Sequence, residues 1–218
     1  MTHQSQLGDG NMSLIKSQTT FKMLDRCIEY DGSQIRPLWA FEKYGIRGDS
    51  IICFLGPMQV KTTDMIDLQD VRREGDLAEI LISSDESLNF VIEHFDCQPP
   101  SLLLAYHRLR LLVFIALETL TQTFQGTWRR DKTDLYLSDK KISVGIATVT
   151  NSSLKIHFAI NTANTGFPEF TNAIGLASLG PLEKETVISL ALNIGNSYSS
   201  CIEGCWHDIT KSRTTSPN

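Results

Sequence analysis

The stretch from Lys141 to Asn161 constrains the fold of this chain more than any other. Two runs, Lys141 to Val149 and Leu154 to Asn161, are rich in β-branched residues and flank the polar turn Thr150-Asn151-Ser152-Ser153, which predicts a β-hairpin. Side chains alternate faces along a strand. Leu154, Ile156, Phe158 and Ile160 therefore share one face, and Lys155, His157, Ala159 and Asn161 the other. In the first strand the bulky row is Ile142, Val144 and Ile146, and the small row is Ser143, Gly145 and Ala147. Pairing bulky with bulky sets Val144 opposite Ile160 and Ile146 opposite Phe158. One face of the hairpin is then greasy and needs helices over it. The other is roomy, edged by Lys141, His157 and Asn161, and suits a pocket for a carboxylate-bearing ligand. The same face reads equally well as a half-exposed sheet surface with ordinary polar residues.

The rest of the chain supplies the cover. Ser33 to Tyr44 predicts a short helix stopped by Gly45, with Pro37 near its first turn; Trp39 and Phe41 on it suit core or interface equally. Ile51 to Leu55, between Gly48 and Gly56, predicts a strand buried on both faces. Residues 56–76 read as a long polar connection. Ala78 to Ile82 predicts a strand, and Ser83-Ser84-Asp85-Glu86 a capping box opening an amphipathic helix through Leu88, Val91, Ile92 and Phe95. Ser101 caps a core helix from about Leu102 to Thr121, in which Arg108 and Arg110 call for a rim or an acidic partner. Asp134 to Leu137 adds a third strand to the hairpin, and Gly180-Pro181 starts a last helix. The expected class is α+β, a mixed or antiparallel sheet with helices packed on one face. Residues 1–23 read as a disordered arm, 24–210 as a single domain and 211–218 as a flexible tail.

Composition narrows the partners. The net charge of −5 gives no basic field for nucleic acid or an anionic membrane. A contact with a single strand or tRNA through Arg72, Arg73, Arg129 and Arg130 is the weaker option. The longest apolar run, seven residues from Leu111 to Leu117, cannot cross a bilayer. Five scattered cysteines suit reduced thiols in a cytoplasm. Cys201, Cys205 and His207 bring three metal-capable residues together, one fewer than a structural zinc site needs, so no metal is assigned. His94 and His107 lack a paired nucleophile and read as rim histidines. No P-loop, dinucleotide fingerprint, H-E-x-x-H or G-x-S-x-G is present.

The run Asp134-Leu135-Tyr136-Leu137-Ser138-Asp139-Lys140-Lys141-Ile142-Ser143, followed by Ile160-Asn161, resembles the core of biotin and lipoate protein ligases. The span from Tyr30 to Pro168 resembles a prokaryotic family, domain-of-unknown-function family 366. It does so through Tyr30-Asp31-Gly32-Ser33-Gln34-Ile35-Arg36, Gly48-Asp49-Ser50, Gly56-Pro57-Met58, Glu93-His94-Phe95, Ile142-Ser143-Val144 and Ile156-His157-Phe158. That resemblance implies the ligase catalytic-domain fold. It also implies a carboxylic acid activated by ATP and Mg as an acyl-adenylate and passed to a lysine of a protein acceptor. On it, Lys141 and Asp134 are the catalytic pair, Lys141 offsetting charge as it develops. Ser33, Gln34, Ser143, Gly145, His157 and Asn161 line the acid pocket. The ligases' G-R-G-R-x-G-R phosphate loop is absent here, and Lys61, Arg72 and Arg73 are left to meet phosphate. Thr133 stands where the ligases have asparagine, and Val144 where they have glycine. The alternative is a non-catalytic small-molecule binder or assembly protein, with self-association open, that lacks the phosphate loop.

Overall fold

The computed structural model describes residues 19–68, 71–72 and 80–212. Its main sheet holds five strands: β1 (Thr20–Met23), β2 (Ser50–Lys61), β3 (Ile80–His94), β7 (Ser143–Val149) and β8 (Leu154–Asn161). Their order is β1-β2-β3-β8-β7, with β1 parallel to β2 and every other pair antiparallel. A second sheet joins β4 (Trp128–Asp131), β5 (Asp134–Leu137) and β6 (Lys140–Lys141). Among the described residues three α-helices have defined bounds: α1 (Trp39–Tyr44), α2 (Leu102–Thr123) and α3 (Lys184–Ile209). The fold is α+β with a mixed sheet.

The two long helices cover one face of the main sheet. Ile51, Cys53, Leu88, Phe90, Ile92, Ile156, Phe158 and Ile160 pack there against Leu109, Leu112 and Ala116 of α2 and Leu190 and Ile194 of α3. The short α1 lies on the other face, where Trp39 and Ala40 meet Ile52, Phe54 and Val91. Trp39 is core and Phe41 is exposed. Ser101 caps α2 by accepting from the Leu104 N–H at 3.3 Å, and Arg108 finds its acidic partner in Asp96. Gly45 ends α1 in the left-handed conformation, as its position predicts.

Several expectations need correction. The helix placed over Leu88 to Phe95 is strand β3. The serine-glutamate pair is a local signal, and tertiary burial overrides it. β3 is the central strand, and every side chain from Ser87 to His94 is buried. Ser87, Asn89 and Glu93 alternate with Leu88, Phe90 and Ile92 along it, and the capping signal ahead of them masks that period. The connection expected to begin at residue 56 instead starts as six more residues of β2. Gly56 is required there, because a Cβ would collide with the backbone carbonyl of Ile28. Thr20–Met23, expected in the disordered arm, pairs with β2; residues 1–18 lie outside the described residues. The last helix starts at Lys184, three residues after Pro181. Asp134–Leu137 is a strand, but of the small sheet rather than the hairpin's.

The hairpin register is the correction that matters most. Gly145 pairs with Phe158, Val144 with Ala159 and Ile146 with His157, one residue from the expected pairing. The bulky row of β8 therefore lies beside the small row of β7, under α2. A Cβ on Gly145 would sit 3.1 Å from Leu109 Cδ1 of α2 and 3.3 Å from Phe158. What decides the register is the total volume beneath the helix: large β8 side chains leave room only for small β7 ones. Val144 and Ile146 turn to the opposite face.

Candidate functional site

On that opposite face a cavity of about 570 Å³ opens between the main sheet, the small sheet and the segments around residues 30–35, 64–67 and 167–173. It is not floored by the small residues expected to floor it. Val144 and Ile146 form part of the wall, with His157 behind them. Ser143 and Gly145 border the cavity, yet the Ser143 hydroxyl is already engaged, accepting from the Leu135 N–H at 2.8 Å.

Lys141 and Asp134 both line the cavity, with Lys141 Nζ 3.1 Å from Asp134 Oδ1 and both side chains about one-third exposed. Backbone bonds fix Lys141: its N–H donates to Asn172 O, and its carbonyl accepts from Ile174 N. Burial pushes the Asp134 carboxyl above its ordinary pKa, Asp131 and Asp67 push the same way, and Lys141 pulls back. Asn161 is spent on the protein: Nδ2 donates to Ile174 O at 3.1 Å, and Oδ1 accepts from the Ser87 hydroxyl at 3.3 Å. It clasps β3 to the 172–174 segment at the cavity edge.

His157 lies under Tyr30, their rings stacked 3.4 Å apart and 7° from parallel. Its Nε2 is 3.0 Å from Asn89 Oδ1. Burial lowers the pKa of the imidazole to about 3, so it is neutral at neutral pH. Tyr30 is held by backbone bonds on both sides, its N–H to Pro57 O and its carbonyl from Gln59 N, as a single bridge beside Met58 of β2. Desolvation raises its phenol pKa.

Ser33 and Gln34 do not line the cavity. Gln34 is buried and closes its own loop, donating to Glu29 O at 2.9 Å and accepting from the Asp31 N–H at 3.3 Å. The segment reaches the cavity through Tyr30, Gly32 and Ile35 instead. Lys61 and Arg72 are exposed and outside the lining; Arg73 lies outside the described residues. Tyr30, which lines the cavity, and Asn89, which holds His157 from β3, are polar groups that site reasoning on the sequence missed. Tyr30 opens one of the quoted motifs, but its stacking partner is distant in sequence. Asn89 lay in the expected helix and gave no signal.

A second polar cluster lies away from the cavity. Asp49 accepts from the Phe95 N–H at 2.7 Å and is 3.3 Å from His94 Nδ1. His94 Nε2 is 3.0 Å from the Tyr198 hydroxyl, and Arg108 grips both oxygens of Asp96 at 2.7 and 2.6 Å. Donor atoms of Asp49, His94 and Asp96 lie within 4.8 Å of one another, as metal ligands would. Each already serves a protein partner, so the group reads as a buried clamp joining β2, β3, α2 and α3. His94 is part of that clamp rather than a rim base, and His107 is exposed on α2. Cys201 and Cys205 are exposed, reduced and one helical turn apart. No helix among the described residues is long and apolar enough to cross a membrane.

Comparison with known proteins agrees with this architecture. The uncharacterized protein MJ0805 of Methanocaldococcus jannaschii is 41% identical over 185 residues, covering 84% of this chain and 80% of that one. A protein of unknown function from Pyrococcus horikoshi superposes with a TM-score of 0.79 at 33% identity, over 91% of this chain and all of that one. Biotin protein ligase from Aquifex aeolicus, solved with biotin and ATP, superposes with a TM-score of 0.53 at 14% identity, over 84% of this chain and 71% of that one. At that identity the likeness is one of fold, and the fold is that of a biotin/lipoate ligase catalytic domain. Residues 19–213 match the family described as a domain of unknown function, DUF366, and this chain belongs to that family.

Proposed function

We propose that this protein binds a small organic molecule, and that the cavity beside Lys141 and His157 is the binding site. The observation that carries the reading is the cavity itself. Its volume, about 570 Å³, lies within the roughly 300–1,000 Å³ usual for ligand pockets. Its wall combines apolar Met58, Val144 and Ile146 with a few fixed polar groups. Five free cysteines support a reducing, cytoplasmic setting.

Activation of a carboxylic acid with ATP and Mg, with transfer to a protein acceptor, is the second reading. Lys141 at the cavity edge favours it. The charge of the lining does not. Among the described residues the charged side chains there are Asp64, Asp67, Asp131, Asp134 and Asp139 against Lys132 and Lys141, and Lys141 is already paired. A triphosphate calls for concentrated cations or a helix N-terminus. Of the three cations the sequence offers for phosphate, Lys61 and Arg72 do not line the cavity, and Arg73 lies outside the described residues. Among the described residues the lining does not fit the nucleotide.

Native mass spectrometry of protein purified without added ligand tests the first reading; the expected result is a retained small molecule of defined mass. Titration calorimetry with ATP–Mg separates the two readings. The expected result is no saturable heat at millimolar nucleotide. Tight binding that Lys141→Ala abolishes would overturn the first reading in favour of the ligase.

A further inference from the structure

Tyr30 and His157 form a two-layer wall of the cavity, at 4% and 2% exposure. Asn89 sets the chemistry of that wall. Its Nδ2 donates to Ser87 O at 3.0 Å, which leaves Oδ1 turned to His157 Nε2. An amide oxygen only accepts, so Nε2 carries the imidazole proton and Nδ1 is a bare acceptor. Neither Nδ1 nor the Tyr30 hydroxyl has a hydrogen-bond partner among the described residues, and no buried side-chain nitrogen or oxygen there lacks one. Both atoms therefore open on the cavity. The wall offers one acceptor and one hydroxyl, both held in place by stacking and backbone bonds.

Resting on the small-molecule reading, we infer that this wall takes an uncharged amide-type group, its N–H on His157 Nδ1 and its C=O on the Tyr30 hydroxyl, and discriminates against a carboxylate. A carboxylate has no hydrogen for Nδ1. It sets its own lone pairs against that of the nitrogen, leaving a buried acceptor unsatisfied. It also enters a lining that, among the described residues, has more carboxylates than ammoniums. An ammonium supplies the N–H but no acceptor for the tyrosine hydroxyl. An amide satisfies both atoms and brings no charge.

The test uses phenylacetamide and phenylacetate, which share a skeleton, titrated into the full chain at neutral pH. Calorimetry or ligand-observed NMR should give the amide an affinity at least about ten-fold above the acid, the scale of one satisfied against one orphaned hydrogen bond. Tyr30→Phe keeps the ring stack and should lose roughly ten-fold in amide affinity. Imidazole ¹⁵N spectra give a readout independent of any variant. They should show Nε2 protonated and Nδ1 bare, with Nδ1 shifting as the amide binds. Equal or tighter binding of phenylacetate, or a protonated Nδ1, overturns the amide assignment and leaves cavity binding standing. Failure of both probes at millimolar concentration, with no retained mass in the native spectrum, overturns the small-molecule reading and the assignment together.

Discussion

Acid weakens this protein through His157. The imidazole is buried under Tyr30, and burial lowers its pKa to about 3, against 6.5 for an ordinary histidine. Between those values the unfolded chain holds a proton that the folded chain refuses. Stability therefore falls as pH falls, by about 1.4 kcal/mol per pH unit at full slope. Above the unfolded pKa the contribution is fully present. Between about pH 7 and pH 4.5 this one group removes roughly 2.5 kcal/mol, a large share of the roughly 5–15 kcal/mol of a typical domain. The measurement is urea unfolding across that range, for wild type and for His157→Gln, whose amide still donates to Asn89. All other groups are common to both proteins and cancel in the comparison. The variant keeps its stability better in acid, and the gap between the two proteins changes by about 2.5 kcal/mol over the series. Parallel pH profiles, or a native-state NMR titration placing His157 near the ordinary value, would refute the reasoning.

Gly145→Val should destabilise by about 1–3 kcal/mol in thermal unfolding, because the added carbons meet Leu109 and Phe158 beneath α2. A neutral or stabilising result would restore the register in which residue 145 faces the cavity. Glu93→Ala should cost about 3–5 kcal/mol by chemical denaturation, since it strands the fully buried Lys155 ammonium 3.1 Å away and frees Ser153 and the Leu38 N–H. Adding Lys155→Met to Glu93→Ala should recover most of that loss; a double variant no better than the single one would count against the pairing. Lys141→Ala should shift stability by less than about 1 kcal/mol, because the pair with Asp134 is partly exposed and screened.

The parts of the fold that follow from one dominant local signal were legible. Ser101 opens the core helix where a capping serine precedes an apolar run, and Gly45 closes α1 in the conformation glycine favours. The turn after Val149 and the face assignments within β8 also hold, since alternation along one strand is a property of that strand alone. Register is not such a property. It depends on what lies above the sheet, and nothing in residues 143–161 states that α2 presses Leu109 against Gly145. β3 failed for a related reason. Its polar residues sit inside because each meets a partner distant in sequence: Ser87 with Asn161, Asn89 with His157, and Glu93 with Ser153 and Lys155. Ser87, Asn89 and Glu93 share one strand face, a period that the serine-glutamate capping signal ahead of them outweighs.

The site shows the same division in sharper form. Residues tied to the hairpin and its turn, Asp134, Lys141, His157 and Asn161, meet at one cavity even though the register that led to them was off by one. They survive the slip because none of them is on β7. His157 and Asn161 keep their face on β8, and Asp134 and Lys141 belong to the small sheet. The slip changes only what β7 contributes, exchanging a small row for Val144 and Ile146. That exchange alters the chemistry of the cavity. A floor of Ser143, Gly145 and Ala147 would have left space and a hydroxyl close to the Lys141 ammonium, an arrangement suited to a carboxylate. The observed wall puts aliphatic bulk there and, among the described residues, leaves His157 Nδ1 and the Tyr30 hydroxyl without partners. With the lysine already held by Asp134, the electrostatic reason for an acid substrate at this cavity weakens.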